Sequence, residues 1–98
     1  MNFGPWSPLH AAQLPSGPGV LQVRREHGLV GYPRGKSAMV LYAAAEDLQA
    51  AALAIAAAHP DEAWLVRCNR EPVVDPEAAA ARLIAEFNER FGAPPRPG

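Results

Sequence analysis

The side chains best suited to chemistry gather in one short run. Tyr32-Pro33-Arg34-Gly35-Lys36-Ser37 brings together a phenol, two cations and a hydroxyl, and Tyr42 follows soon after. Arg24 and Arg67 add guanidinium groups within apolar, strand-like segments. Guanidinium and ammonium groups meet phosphate oxygens, and an aromatic ring offers a face on which a nucleobase can stack. Arg24, Tyr32, Arg34, Lys36, Ser37, Tyr42 and Arg67 therefore form a candidate site for phosphate or nucleic acid. The plainer alternative is a polar bulge in a hairpin, with half-buried sheet tyrosines beside it.

Other chemistries find less support. Gly31-x-x-x-Gly35-Lys36-Ser37 is one residue shorter than a nucleotide-hydrolase phosphate loop, and strand-like Met39-Val40-Leu41-Tyr42 follows it where a helix is needed. His10, His27 and His59 show no metal-ligand spacing. Cys68 alternates with Trp64 and Val66, the pattern of a buried structural thiol with no catalytic partner nearby. No catalytic set, metal or cofactor is implied by these residues.

The elements that must hold these side chains follow from periodicity and punctuation. Ser7-Pro8 opens a short helix through about Leu14, ended by Pro15. Residues 20 to 26 read as a strand, His27-Gly28 as a turn, and residues 29 to 32 as the start of a returning strand. Pro33 and Gly35 interrupt that strand before it resumes at Ala38-Met39-Val40-Leu41-Tyr42. Residues 44 to 58 form an alanine-rich helix, with Glu46 and Asp47 in its first turn and Leu48, Ala52, Ile55 and Leu53 as its inward stripe. Residues 63 to 69 are a strand with Trp64, Val66 and Cys68 on one face and Leu65 and Arg67 on the other. Asp75-Pro76-Glu77 opens a last helix whose inward side chains are Ala80, Leu83, Ile84, Phe87 and Phe91, and Gly92 ends it.

The order β-β-α-β-α predicts an α+β domain: a small, mostly antiparallel three-stranded sheet with helices packed on it. The 98 residues suit one domain, with an irregular proline- and glycine-rich arm over 1–19, a core over 20–92 and a proline-rich, extended tail over 93–98. The lone cysteine excludes an internal disulfide and fits a reducing compartment. No membrane span or signal peptide is visible, so the expected location is cytoplasmic. Charge is uneven. Residues 1–45 carry Arg24, Arg25, Arg34 and Lys36 against Glu26 alone, whereas residues 46–98 carry five arginines against nine acids. The basic part could attract an anion.

The run Leu14-Pro15-x-x-Pro18-Gly19-Val20, followed downstream by Gly35-Lys36-Ser37, resembles the opening of the GIY-YIG nuclease domain. Leu21 stands at the first motif tyrosine. Either Tyr32 or Tyr42 can take the second. Leu83-Ile84 and Phe87 with Pro94-Pro95 are similar to the family's last helix and its trailing proline, so the likeness runs loosely over residues 14 to 95. In that family two tyrosines, a helix arginine and a metal-binding glutamate hydrolyse a phosphodiester. The matching positions here are Leu21, Ala51 and Ala80 in place of tyrosine, arginine and glutamate, with Glu77 one turn before Ala80. The resemblance thus implies a scaffold that has lost its catalysis and binds DNA or RNA. The competing readings are a homodimer or protein-interaction module built on the alanine-rich helix and the tail, and a metal-dependent nuclease using Tyr32 or Tyr42 with Glu77.

Overall fold

A computed structural model of the chain describes residues 1–97. It is an α+β fold whose elements are β1 (Ser7–Pro8), a 3-10 turn (Leu9–Ala11), β2 (Gly19–Arg25), β3 (Val30–Tyr32), β4 (Gly35–Ser37), β5 (Met39–Ala45), α1 (Leu48–Ala58), β6 (Trp64–Cys68) and α2 (Pro76–Phe91). The main sheet has four antiparallel strands rather than three, in the order β1-β6-β2-β5, and β3 with β4 forms a separate two-stranded hairpin.

Three departures from the sequence reading share a cause: pairing overrides local propensity. Ser7-Pro8 does not open a helix. Pro8 has an extended backbone (φ −57°, ψ 130°), and the pair docks on β6 with Ser7 opposite Val66, leaving only the 3-10 turn behind it. The strand interrupted at Pro33 does not resume in its own register. Instead β3 turns back through Pro33-Arg34 into β4, and β5 crosses to β2. Ala44 and Ala45, read as helical, belong to β5 opposite Val20 and Gly19. Helix α1 accordingly starts at Leu48, with Asp47 as its N-cap, whose Oδ1 accepts from the Ala50 amide at 3.0 Å.

Side-chain alternation sorts the sheet into two faces. Leu21, Val23, Trp64 and Val66 point to the side of α1 and the 3-10 turn, where Leu9, Leu48 and Ala52 complete the core. Leu48 and Ala52 are buried as expected, but Leu53 is 60% exposed, so the inward stripe of α1 is narrower than its composition suggested. The opposite face carries Val20, Gln22, Arg24, Tyr42 and Arg67, and α2 crosses it over β5 and β2. Phe87 of α2 anchors this packing through Tyr32 (centroids 4.9 Å apart, edge-on), Tyr42 (6.1 Å) and Phe91 (4.5 Å). Helix α2 begins with Asp75 as its cap and Pro76 in the first turn, and ends at Gly92 in the left-handed region (φ 83°), a conformation glycine adopts without strain.

The arm and the tail are both held to the sheets by hydrogen bonds. The arm's Gly4 amide donates to Cys68 O (2.9 Å), and the Arg70 amide donates to Asn2 O (2.9 Å). The tail does not run free either: the Arg96 guanidinium donates to Gly31 O (2.7 Å) and its amide to the Tyr32 hydroxyl (3.2 Å). Gly98 lies outside the described residues. Among the described residues, no helix is long and apolar enough to cross a membrane.

The lead-in segment has a mechanical role. Pro15 O and Gly17 O accept from the Gln49 amide (3.1 Å) and the Leu48 amide (3.0 Å), which are first-turn amides of α1 without intrahelical partners. The Gln49 side chain answers by accepting from the Leu14 amide (2.6 Å) and donating to Ala12 O (3.3 Å). Gly19 follows where no side chain fits, since a Cβ there would lie 2.8 Å from Leu48 Cδ1 and closer still to the Asn69 side chain. That Asn69 amide oxygen holds the Val20 amide at 2.9 Å. Gly19→Ala is therefore expected to destabilise the fold by about 1–3 kcal/mol, the usual cost of overpacking, read as a lowered melting temperature.

Candidate functional site

One row of side chains crosses the α2 face of the sheet. Arg67 on β6 stands opposite Gln22 on β2, and Gln22 stands opposite Tyr42 on β5. Trp6, just before β1, closes the other end of the row, with the Arg67 guanidinium 4.3 Å from its ring centroid. Arg24, two residues along β2 on the same face, places its own guanidinium 4.4 Å from that ring. Phe3 lies under Arg67 at 5.0 Å. The two arginines share an aromatic floor, which suits the weakly hydrated, planar guanidinium.

The site lacks a counter-charge. Arg67 Nε donates to Gln22 Oε1 at 2.7 Å, a neutral acceptor on a residue only 4% exposed. Arg24 Nε is buried and has no hydrogen-bond partner. Among the described residues the one basic side chain within 4.0 Å of a carboxylate is His27, 3.9 Å from Glu26 and away from this row. Burial and the neighbouring Arg24 both lower the Arg67 pKa from its ordinary value, and a guanidinium so placed remains charged at neutral pH. Burial raises the Tyr42 pKa, opposed by Arg67 and reinforced by Glu86 and Tyr32, so its hydroxyl is a neutral hydrogen-bonding group and not a ready base. Two adjacent guanidinium groups without a counter-charge repel one another, a cost that an anion bound between them would offset.

Of the seven residues singled out in the sequence, Arg24, Tyr42 and Arg67 converge here. Lys36 and Ser37 line a neighbouring cleft of about 460 Å³ that Tyr42 also borders, together with Glu86 and Arg90 of α2. The Ser37 hydroxyl accepts from the Met39 amide at 3.1 Å. Arg34 is turned elsewhere: its guanidinium donates to the Asn88 carbonyl (3.4 Å) and to that of Glu89, carbonyls in the last turn of α2. Tyr32 is 8% exposed, packs edge-on against Phe87 and donates its hydroxyl to Met39 O at 2.7 Å.

The residues that the GIY-YIG resemblance would set at catalytic positions do not gather. Leu21 is fully buried on the α1 face, opposite to the face that carries Tyr42, and Ala80 is 5% exposed beneath α2. Glu77 lines a different cleft of about 320 Å³ with Glu46 and Asp75, apart from Lys36 and Ser37. Among the described residues no group of three or more histidine, cysteine, aspartate and glutamate side chains could hold a metal ion.

Sequence reasoning missed Gln22, Phe3 and Trp6. Period-two alternation from Arg24 would have put Gln22 on the same face. The two aromatics needed the pairing of the arm with β6, which no local signal announces. Cys68 sits partly buried, and burial raises its thiol pKa. Its alkylation by iodoacetamide is expected to be slow at neutral pH and to accelerate only at strongly alkaline pH, as timed mass spectrometry would show.

No protein-family model, no curated protein and no solved structure matches the chain.

Proposed function

We propose that the protein is a nucleic-acid-binding module without catalytic activity, and that it holds the phosphate backbone of a single strand on the face bearing Arg24, Arg67 and Tyr42. The observation that carries this reading is the arginine pair: two adjacent guanidinium groups on an aromatic floor, with no carboxylate beside them and one buried Nε–H unpartnered. A backbone phosphate supplies the counter-charge that this arrangement lacks, with acceptor oxygens for the guanidinium N–H groups other than the buried Arg24 Nε–H. Tyr42, half-buried at the end of the row, adds a hydroxyl donor toward the next sugar or phosphate. The lead-in and Gly35-Lys36-Ser37 likeness to the GIY-YIG domain supports nucleic acid over other polyanions. The aliphatic side chains at Leu21, Ala51 and Ala80 support binding without cleavage.

Fluorescence anisotropy with labelled single-stranded and duplex oligonucleotides tests this, with Mg²⁺ present and the products then run on a gel. The expected result is binding that weakens steeply with salt and leaves the strand intact. Absence of binding at low salt would sink the reading, and cleavage would replace it with that of an active nuclease.

A further inference from the structure

β5 is the open edge of the main sheet. The direction of its unpaired groups follows from β2. The Arg25 amide donates to Ala38 O (2.8 Å) on the β5 side, while Val20 O accepts from the Asn69 amide (3.3 Å) on the β6 side. Leu21 and Val23 thus turn their backbone groups to Ala43 and Leu41, so Tyr42 and Ala44 turn theirs away from the sheet. Among the described residues nothing pairs with them. Edge strands are ordinarily guarded by charge, proline or a bulge. β5 reads Met39-Val40-Leu41-Tyr42-Ala43-Ala44-Ala45, with no charge and no proline, and its bulge lies at the Met39 end, opposite Val23 and Arg24.

We propose that this edge pairs antiparallel with β5 of a second copy, giving a two-fold dimer with one continuous sheet. Two features choose a second copy over a foreign strand. The first is charge. α2 runs beside β5, and the groove between them is polarised: Lys36 and Arg90, with Glu86, stand at the Met39 end, and Glu46, Asp75 and Glu77 stand at the Ala45 end. A two-fold axis through the strand reverses one groove against the other and lays each basic end beside the other copy's acidic end, as an isologous interface requires. The second is shape. Centring the axis on Ala43 sets Tyr42 opposite Ala44 of the partner subunit, a large side chain beside a small one, and pairs all the free backbone groups of both residues. Leu83, half-buried on the middle of α2, is covered near the same axis. The dimer does not depend on nucleic-acid binding: it uses the backbone edge of Tyr42, whereas the arginine row lies on the sheet face.

Sedimentation over the micromolar range tests it. The wild-type chain is expected to shift from monomer to dimer as concentration rises. Ala44→Pro deletes an outward N–H that the fold itself does not use, and should leave a monomer with a near-normal melting curve. Two charge-reversed variants, Lys36→Glu with Arg90→Glu and Glu46→Lys with Glu77→Lys, should each dimerise at least tenfold more weakly and recover a heterodimer when mixed. A wild type that stays monomeric across the range, a folded Ala44→Pro variant that still dimerises, or a mixture that fails to recover would each overturn the proposal. The mixing arm decides the matter if Ala44→Pro does not fold.

Discussion

Arg67→Ala is expected to weaken binding of a single-stranded oligonucleotide by about tenfold to a hundredfold, the worth of a charged hydrogen bond at about 1.5–3 kcal/mol. The plot of log affinity against log salt should lose about one from its slope, because one phosphate contact is removed. Arg24→Ala should do the same, and the effect of the pair should fall short of additive, since both guanidinium groups face one anion. Truncation at Arg67 also uncovers Gln22 Oε1 and the Trp6 ring, which couples binding to local packing. Arg67→Lys separates the two effects. Lysine keeps the charge and therefore most of the salt slope, but it loses the planar fork and the stacking that make arginine suited to this floor. Affinity that falls in Arg67→Lys with the slope preserved identifies geometry as the source of the loss. Affinity unchanged in all three variants would mean that the row does not bind the strand.

Phe87→Ala should produce the largest loss of stability. Phe87 is 6% exposed and is the one α2 side chain whose ring meets Tyr32, Tyr42 and Phe91 together. Truncating a buried phenylalanine costs about 3–5 kcal/mol through lost burial and the cavity left behind. A small domain is stabilised by only about 5–15 kcal/mol in total, so the variant should lose a large share of its stability, with its melting temperature and urea midpoint lowered and its urea slope unchanged. The same truncation frees the Tyr42 ring, so oligonucleotide affinity should fall along with stability. Phe91→Ala is the matched control: its ring also touches Phe87 but not Tyr42, and it should lower stability with less effect on binding.

Much of this was legible in the sequence, and what was not has a common reason. Helix α2 announced itself through Asp75, Pro76 and Gly92 because capping is local chemistry, satisfied within a turn of the residue that supplies it. The two faces of β6 were legible because alternation is fixed by the extended backbone. The four-stranded sheet was not, since Ser7-Pro8 carries a helix-start signal and becomes a strand only because β6 has an edge to fill. The alanines at 44 and 45 are helix formers by composition and strand residues by register. The site divides the same way. Arg24, Tyr42 and Arg67 could be named because each sits on a strand of clear period, but Arg34 and Tyr32 looked equally free. Only the path of α2 shows that the first caps its carbonyls and the second fills the space beneath it.

The two borders of the main sheet are unlike, and that sets how far edge pairing can proceed. The β6 border is already occupied by β1, a strand of only two residues that ends in Pro8, which has no N–H to offer a newcomer. Growth through backbone hydrogen bonds is therefore confined to the β5 border, one valence per chain. Association of that kind is self-terminating. In the dimer proposed above, the main sheet of each copy would present outward, among the described residues, just its short proline-bearing strand, a poor template from which to extend a fibril.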